Sequence, residues 1–162
     1  MEILKKKLIA YLEENARYTN EQLAAMVGEE ERAVVKAIEE LEEDGIIVKY
    51  AAIINTEALK EKKVQALIEV KVAPQKLKGF DAYAEDLYQF CEVTSLYLMS
   101  GGFDLAVFVE GESISDIATF VSEKLSVIEG ITSVQTHFIL KKYKIEGQIT
   151  KPTEERRQII QA

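Results

Sequence analysis

Ser100-Gly101-Gly102-Phe103-Asp104 is the run whose residue types lend themselves most directly to chemistry. Two adjacent glycines leave backbone amides uncovered. Such amides hold a carboxylate, while the Asp104 carboxylate can hold an ammonium group. Together they fit a zwitterionic α-amino acid. The same run also reads as a tight hairpin whose glycines only supply positive φ. A second set is basic. Arg32 and Lys36 stand four residues apart with Ala33 between them, so on a helix both cations point into the same space. Thr19 and Asn20 open a helix, where side-chain oxygens and free amides suit phosphate oxygens. Lys49 and Tyr50 lie beyond that basic pair, and Lys5, Lys6 and Lys7 before it.

The elements that must position these residues are legible from periodicity. Leu4, Leu8 and Leu12 repeat on one helical face over residues 2–15. Thr19 and Gln22 form a capping box opening a short second helix with Leu23, Met26 and Val27 inward, and Gly28 ends it. A third helix from 30 to 44 buries Val34, Ile38 and Leu41 and stops at Gly45. Ile46–Ile54 is β-branched and lacks caps, which predicts a strand, a short wing plus connector. Two short helices around a glycine-containing turn form a helix-turn-helix, and its second helix presents Arg32, Ala33 and Lys36 to base edges.

Residues 56–63 are polar and read as a linker between a module at 1–55 and a second domain at 64–145. That second domain alternates strand and helix. Val64–Val72 is a strand, 77–90 a helix, and Val93–Met99 and Asp104–Glu110 a hairpin. A helix capped by Ser113 and Asp116 follows, with Ile114, Ile117, Val121, Leu125 and Ile128 inward. Val134–Lys142 is the last strand. The order βαββαβ predicts a ferredoxin-like α+β domain with four antiparallel strands and both helices on one face. The other face keeps apolar candidates, Leu96, Leu98 and Ile139, which predicts burial against a second copy. Residues 146–162 read as a polar tail with a possible short helix over TEERRQII.

Composition narrows the function. No stretch approaches the roughly 18 apolar residues that span a bilayer, and no signal peptide is evident, which points to the cytosol without a membrane partner. Cys91 is the only cysteine and follows an apolar helix face, so burial is expected. His137 is the only histidine, which leaves no zinc set of the usual type. There is no phosphate loop, nucleophile elbow or HExxH, so neither cofactor nor enzyme is indicated. The net charge of −8 runs against phosphate binding. From Glu29 to Asp44 eight acids face only Arg32 and Lys36, with Ala37, Glu39 and Glu40 where further bases would be useful. The alternative is therefore a module that docks protein through an acidic helix.

The order of these pieces resembles the Lrp/AsnC (feast/famine) family. The resemblance is carried by Asn20-Glu21-Gln22-Leu23-Ala24 through Val27-Gly28, by Ile38 through Ile47, by Ala66 through Val72, by Leu98 through Leu105 and by Leu140-Lys141-Lys142-Tyr143-Lys144. It covers residues 3 to 146, and its most diagnostic part is the glycine-glycine-aromatic-aspartate turn. Such a resemblance implies an N-terminal winged helix-turn-helix that binds double-stranded DNA. It also implies a homodimer, often assembling to tetramer or octamer, and an amino acid or related metabolite bound between C-terminal domains. On this basis Ser100, Gly101, Gly102, Phe103 and Asp104, joined by Thr136 and His137 of the last strand, are the expected effector residues. Haem-pathway decarboxylases share the two-domain plan but resemble each other in a tryptophan-containing strand and an arginine-rich turn. This chain has no tryptophan and reads SGGFDLAVF there.

Overall fold

The computed structural model describes residues 2–59, 62–73 and 79–150. The chain divides into two compact units, Met1–Ile54 and Asn55–Ala162.

The first unit is three helices, α1 (Glu2–Glu14), α2 (Asn20–Val27) and α3 (Glu31–Glu43). Leu4 and Leu8 of α1, Leu23, Ala24 and Val27 of α2, and Val34 and Ala37 of α3 share one core. The capping box forms as the sequence requires. The Thr19 hydroxyl accepts from the Gln22 amide at 3.2 Å, and the Gln22 side-chain oxygen accepts from the Thr19 amide at 2.9 Å. Gly28 closes α2 at φ 75°, a left-handed value glycine adopts without Cβ strain. One inward assignment changes. Met26 is exposed, and Ala24 takes its place in the core.

The strand expected at Ile46–Ile54 does not form. A strand needs a neighbour for its backbone groups, and none of the described strands pairs with this segment. Its first two amides turn back instead, Ile46 and Ile47 both donating to the Leu41 carbonyl at 2.9 Å. Ile46, Val48, Ile53 and Ile54 stay exposed.

The second unit opens with a 3₁₀ turn at Thr56–Ala58. It continues through β1 (Val64–Val72), α4 (Phe80–Tyr88), β2 (Val93–Leu98), β3 (Leu105–Gly111), α5 (Ile114–Thr119) and β4 (Ile131–Phe138). The sheet order is β2-β3-β1-β4, every pair antiparallel. That is the ferredoxin-like arrangement. Alternation along β1 sends Ala66, Ile68, Val70 and Val72 to one face, where Tyr83, Leu87, Ile117, Phe120 and Leu125 cover them. Leu67 lies on the other face, flanked by Phe108 and His137 in register. Tyr97 meets Phe108 there edge to face at 5.9 Å.

Several expectations are corrected. Leu96 is opposite Val107 and packs into the helix-covered core, so it does not belong to the bare face. Leu98 is in the same row, opposite Leu105, but at the sheet edge and exposed. The last strand starts earlier and ends at Phe138. The helix after Ser113 changes geometry. Phe120–Leu125 is a π-helical turn, with the Ser126 amide bonded to the Val121 carbonyl at 2.9 Å. The wider turn brings Phe120 and Leu125, five apart, onto the core with Ile117, while Ile114 stays exposed.

The assigned tail is partly structured. β5 (Lys144–Ile145) and β6 (Gln148–Ile149) form a small hairpin across Glu146 and Gly147, both at positive φ. Thr150 is buried, and its amide donates to the Tyr143 carbonyl at 3.1 Å. The helix read over TEERRQII lies outside the described residues, as do residues 77 and 78 of the expected first sensor-domain helix.

Gly130 sits at φ +93°, and a Cβ there would meet the Tyr83 hydroxyl at 2.0 Å. Tyr83 is fully buried and cannot yield. Gly130→Ala is expected to cost about 3 kcal/mol, from a strained φ and a core overlap. Chemical denaturation measures it; an unchanged midpoint would contradict this packing.

Candidate functional site

In the first unit the basic residues separate into two groups. Arg32 and Lys36 are exposed on the N-terminal half of α3 and line one shallow depression together with Val35 and two acids, Glu31 and Glu39. Lys49 is exposed beyond α3, and Thr19 and Asn20 are exposed at the start of α2. Ala33 differs from expectation, being half-buried against the three-helix core. Lys5 belongs to an internal network. Its ammonium lies 2.8 Å from Glu40 and 3.5 Å from Asp44.

That network changes the electrostatics of α3. Hydrogen bonding to Glu40 raises the Lys5 pKa, and the same bond lowers that of Glu40. Lys36 adds a weaker contact to Glu40 at 3.9 Å. Glu40 and Asp44 therefore share the Lys5 cation, and Glu39, Glu42 and Glu43 lie in the C-terminal half of the helix, with Asp44 as its C-cap. Ala37 is fully buried, so no basic residue could have stood there. Tyr50, read only as part of a wing, donates to Glu42 at 2.8 Å. Burial and then this bond push its phenol up to about 12. It fastens the segment after α3 back onto the helix. No sequence signal marks that pairing, since eight residues separate the partners across an irregular turn.

In the second unit the Met99–Asp104 turn closes the β2–β3 hairpin. The Met99 amide donates to the Asp104 carbonyl at 2.8 Å. Asp104 also clamps the turn to β1. Its amide donates to Val70 at 3.0 Å, and its carboxylate accepts from the Val72 amide at 2.9 Å. One carboxylate oxygen is thus engaged by backbone. The hairpin forms as expected, but Gly101 and Gly102 do not supply positive φ to it, and that part of the reading is corrected. A Cβ at either would meet open space, so their backbone is accessible. Ser100 is exposed and Phe103 half-buried.

Thr136 and His137 do not join this turn within one chain. Thr136 lies opposite Ile68 in the helix-facing row, while His137 lies opposite Leu67 on the bare face. His137 Nε2 is 3.3 Å from a Glu69 carboxylate oxygen. The turn sits by the far end of β1, beside Val70 and Val72. Cys91, expected in the core, is exposed, and its thiol faces Glu92 at 3.4 Å. Among the described residues, no group of three or more His, Cys, Asp or Glu side chains is placed to hold a metal, and no helix is long and apolar enough to cross a membrane.

Comparison with known proteins adds the following. Residues 65–149 match the model of the Lrp/AsnC ligand binding domain, and residues 1–48 match a winged helix-turn-helix DNA-binding model. The chain is 41% identical over 155 residues to the HTH-type transcriptional regulator YugG of Bacillus subtilis, covering 95% of this chain and 93% of that one. It is 34% identical over 139 residues to the HTH-type transcriptional regulator LrpA of Pyrococcus horikoshii, covering 86% and 96%. Among solved structures, the transcriptional regulator NMB0573 of Neisseria meningitidis, in complex with L-Met, superposes with a TM-score of 0.69 at 25% identity, covering 94% of this chain and 97% of that one. The leucine response regulatory protein LrpA of Mycobacterium tuberculosis shares the fold, with a TM-score of 0.75 at 22% identity over 91% and 98%.

The turn geometry makes a specific prediction. Gly101→Ala and Gly102→Ala are expected to leave stability within about 0.5 kcal/mol, since neither φ nor space opposes a methyl. Asp104→Ala orphans the Val72 amide and is expected to cost about 1–2 kcal/mol. Thermal melts of the three variants rank them; glycine variants as damaged as Asp104→Ala would contradict this account.

Proposed function

The chain belongs to the Lrp/AsnC family and is an HTH-type transcriptional regulator, and from that premise we propose how its residues read DNA and sense a metabolite. The module at 1–55 enters the major groove with the N-terminal half of α3. Arg32 and Lys36 reach the DNA, while Thr19, Asn20 and Lys49 hold phosphates. Ala33 serves as a small, closely packed neighbour to them. The observation that carries this reading is the exposed Arg32–Lys36 pair, one turn apart on the N-terminal half of the second helix of the helix-turn-helix. With Glu40 and Asp44 paired internally, the protein-docking reading of α3 is not favoured.

The linker at 56–63 joins this module to a sensor domain at 64–145. There the Gly101 and Gly102 amides receive the carboxylate of an amino acid or a related metabolite, with Ser100, Phe103 and Asp104 around it. Thr136 and His137 contribute from another copy, because their own chain keeps them away from the turn. Two copies pair through the bare sheet face, where Leu67, Tyr97 and Phe108 gather. Pairs then assemble to a tetramer or octamer. An effector that binds one assembly more tightly than another shifts the population and so resets the spacing of the DNA modules. The protein that binds L-Met supports an amino acid as effector class. All of this proceeds in the cytosol and needs no catalysis.

A gel-shift titration against the chain's own upstream region, at two salt concentrations, tests the DNA reading. Arg32→Ala with Lys36→Ala is expected to weaken binding at least tenfold at low salt and flatten its salt dependence, with melting unchanged. Equal affinity for the double variant would assign DNA contact to other residues. For the sheet face, Phe108→Asp is expected to yield a folded monomer in sedimentation. A variant that stays paired would move the dimer interface elsewhere.

A further inference from the structure

The chain leaving α3 is held at two points. The Ile46 and Ile47 amides donate to the Leu41 carbonyl at 2.9 Å, and the Tyr50 hydroxyl donates to Glu42 at 2.8 Å. Val48 and Lys49 form the short arc between them. Lys49 is exposed. The ion pairs among the described residues of this unit use Lys5, Lys6 and Lys36 and leave Lys49 out.

The hold at Tyr50 rests on its hydroxyl more than on its ring. Tyr50 is 46% exposed and stands outside the three-helix core. Its ring borders a hollow of about 320 Å³ lined also by Leu12, Tyr18, Leu23 and Ile38. A ring beside empty space gains little from dispersion. The bond runs from a phenol to a carboxylate and is therefore stronger than one between neutral groups. The phenol also stays protonated, and so remains a donor, throughout the neutral range.

The hollow places this clasp beside the residues that read DNA. Val35 and Glu39 line both the hollow and the depression that holds Arg32 and Lys36. Asn20, at the start of α2, lines the hollow as well. The arc is thus drawn against the flank of α3 shared by the basic pair and the α2 N-terminus.

We propose that Tyr50 is a positioning residue for DNA binding: its bond to Glu42 holds the arc so that Lys49 meets a phosphate on the same side as Asn20. A loose arc would have to be ordered when DNA arrives, and that lost freedom would be subtracted from the lysine's contact. The clasped arc is ordered beforehand. Tyr50 itself touches no DNA. This role rests on the DNA reading above, and within it on Lys49 as a phosphate ligand.

Salt titrations of the full chain on its own upstream duplex test it. Each phosphate contact contributes about 0.9 to the slope of log affinity against log salt. Lys49→Ala is expected to lower the slope by about one contact. Tyr50→Phe removes one oxygen and no charge. It is expected to lose most of the same step and about fivefold in affinity at low salt, with melting unchanged. Tyr50→Phe combined with Lys49→Ala is expected to bind no worse than Lys49→Ala alone, because the clasp acts only through the lysine. A merely structural role would weaken both backgrounds alike and keep the parent slope. Glu42→Gln retains an acceptor for the hydroxyl and is expected to keep the slope. If it instead rescues Tyr50→Phe, Tyr50 only masks the Glu42 charge and the positioning role is overturned. A parent slope in Tyr50→Phe, beside a lowered one in Lys49→Ala, overturns the clasp and leaves the DNA reading standing. An unchanged slope in Lys49→Ala removes both lysine and clasp, while Arg32→Ala with Lys36→Ala still tests α3. A parent chain that retards no duplex at low salt ends the DNA reading and the clasp together.

Discussion

The alternation of side chains along β1 is the constraint on which the sensor unit depends. Hydrogen-bonded to β3 on one side and β4 on the other, β1 has no freedom to slip. A slip of one residue would send Ala66, Ile68, Val70 and Val72 out of the core and bring Glu69 and Lys71 into it. The same alternation decides the surroundings of every candidate effector residue. Val70 and Val72 present the backbone groups that clamp Asp104 and so aim the glycine turn. Leu67 and Glu69 present the outer face on which His137 finds its carboxylate. One strand thus fixes the turn at its end and the bare face along its length.

Electrostatics in the DNA-reading module follows from helix packing rather than from composition. Counted along the sequence, α3 is strongly acidic. In three dimensions part of that charge is paired. Lys5 crosses from α1 to neutralise Glu40 and approach Asp44, and Glu42 accepts from Tyr50. The half that carries Arg32 and Lys36 is left to face solvent. Net charge governs the long-range approach to DNA, whereas contact depends on local geometry.

Burial is incomplete in both units. The first leaves Ile46, Val48, Ile53 and Ile54 uncovered after α3, and the second leaves Tyr97, Leu140 and Tyr143. A single copy exposes several apolar surfaces on different elements, which is a cost in water unless further copies cover them.

Sequence alone determined the three N-terminal helices, the βαββαβ order that follows, the capping boxes at Thr19 and Ser113, the inward row of β1 and the family. Each of these rests on local chemistry with a short period or a fixed offset. It missed the fate of Ile46–Ile54, because β-propensity reports a side chain's fit to a sheet and not whether a partner strand exists. It also missed the π turn at Phe120–Leu125, where a five-residue spacing hides inside a helical pattern. Only the tertiary structure decided that Leu96 faces the core, that Cys91 and Met26 stay outside, and that Asp104 serves as a clamp on β1. It alone decided that Lys5 belongs to Glu40. These outcomes depend on which distant segments meet, and that is set by the strand order and helix packing of the whole unit rather than by any stretch of residues within it.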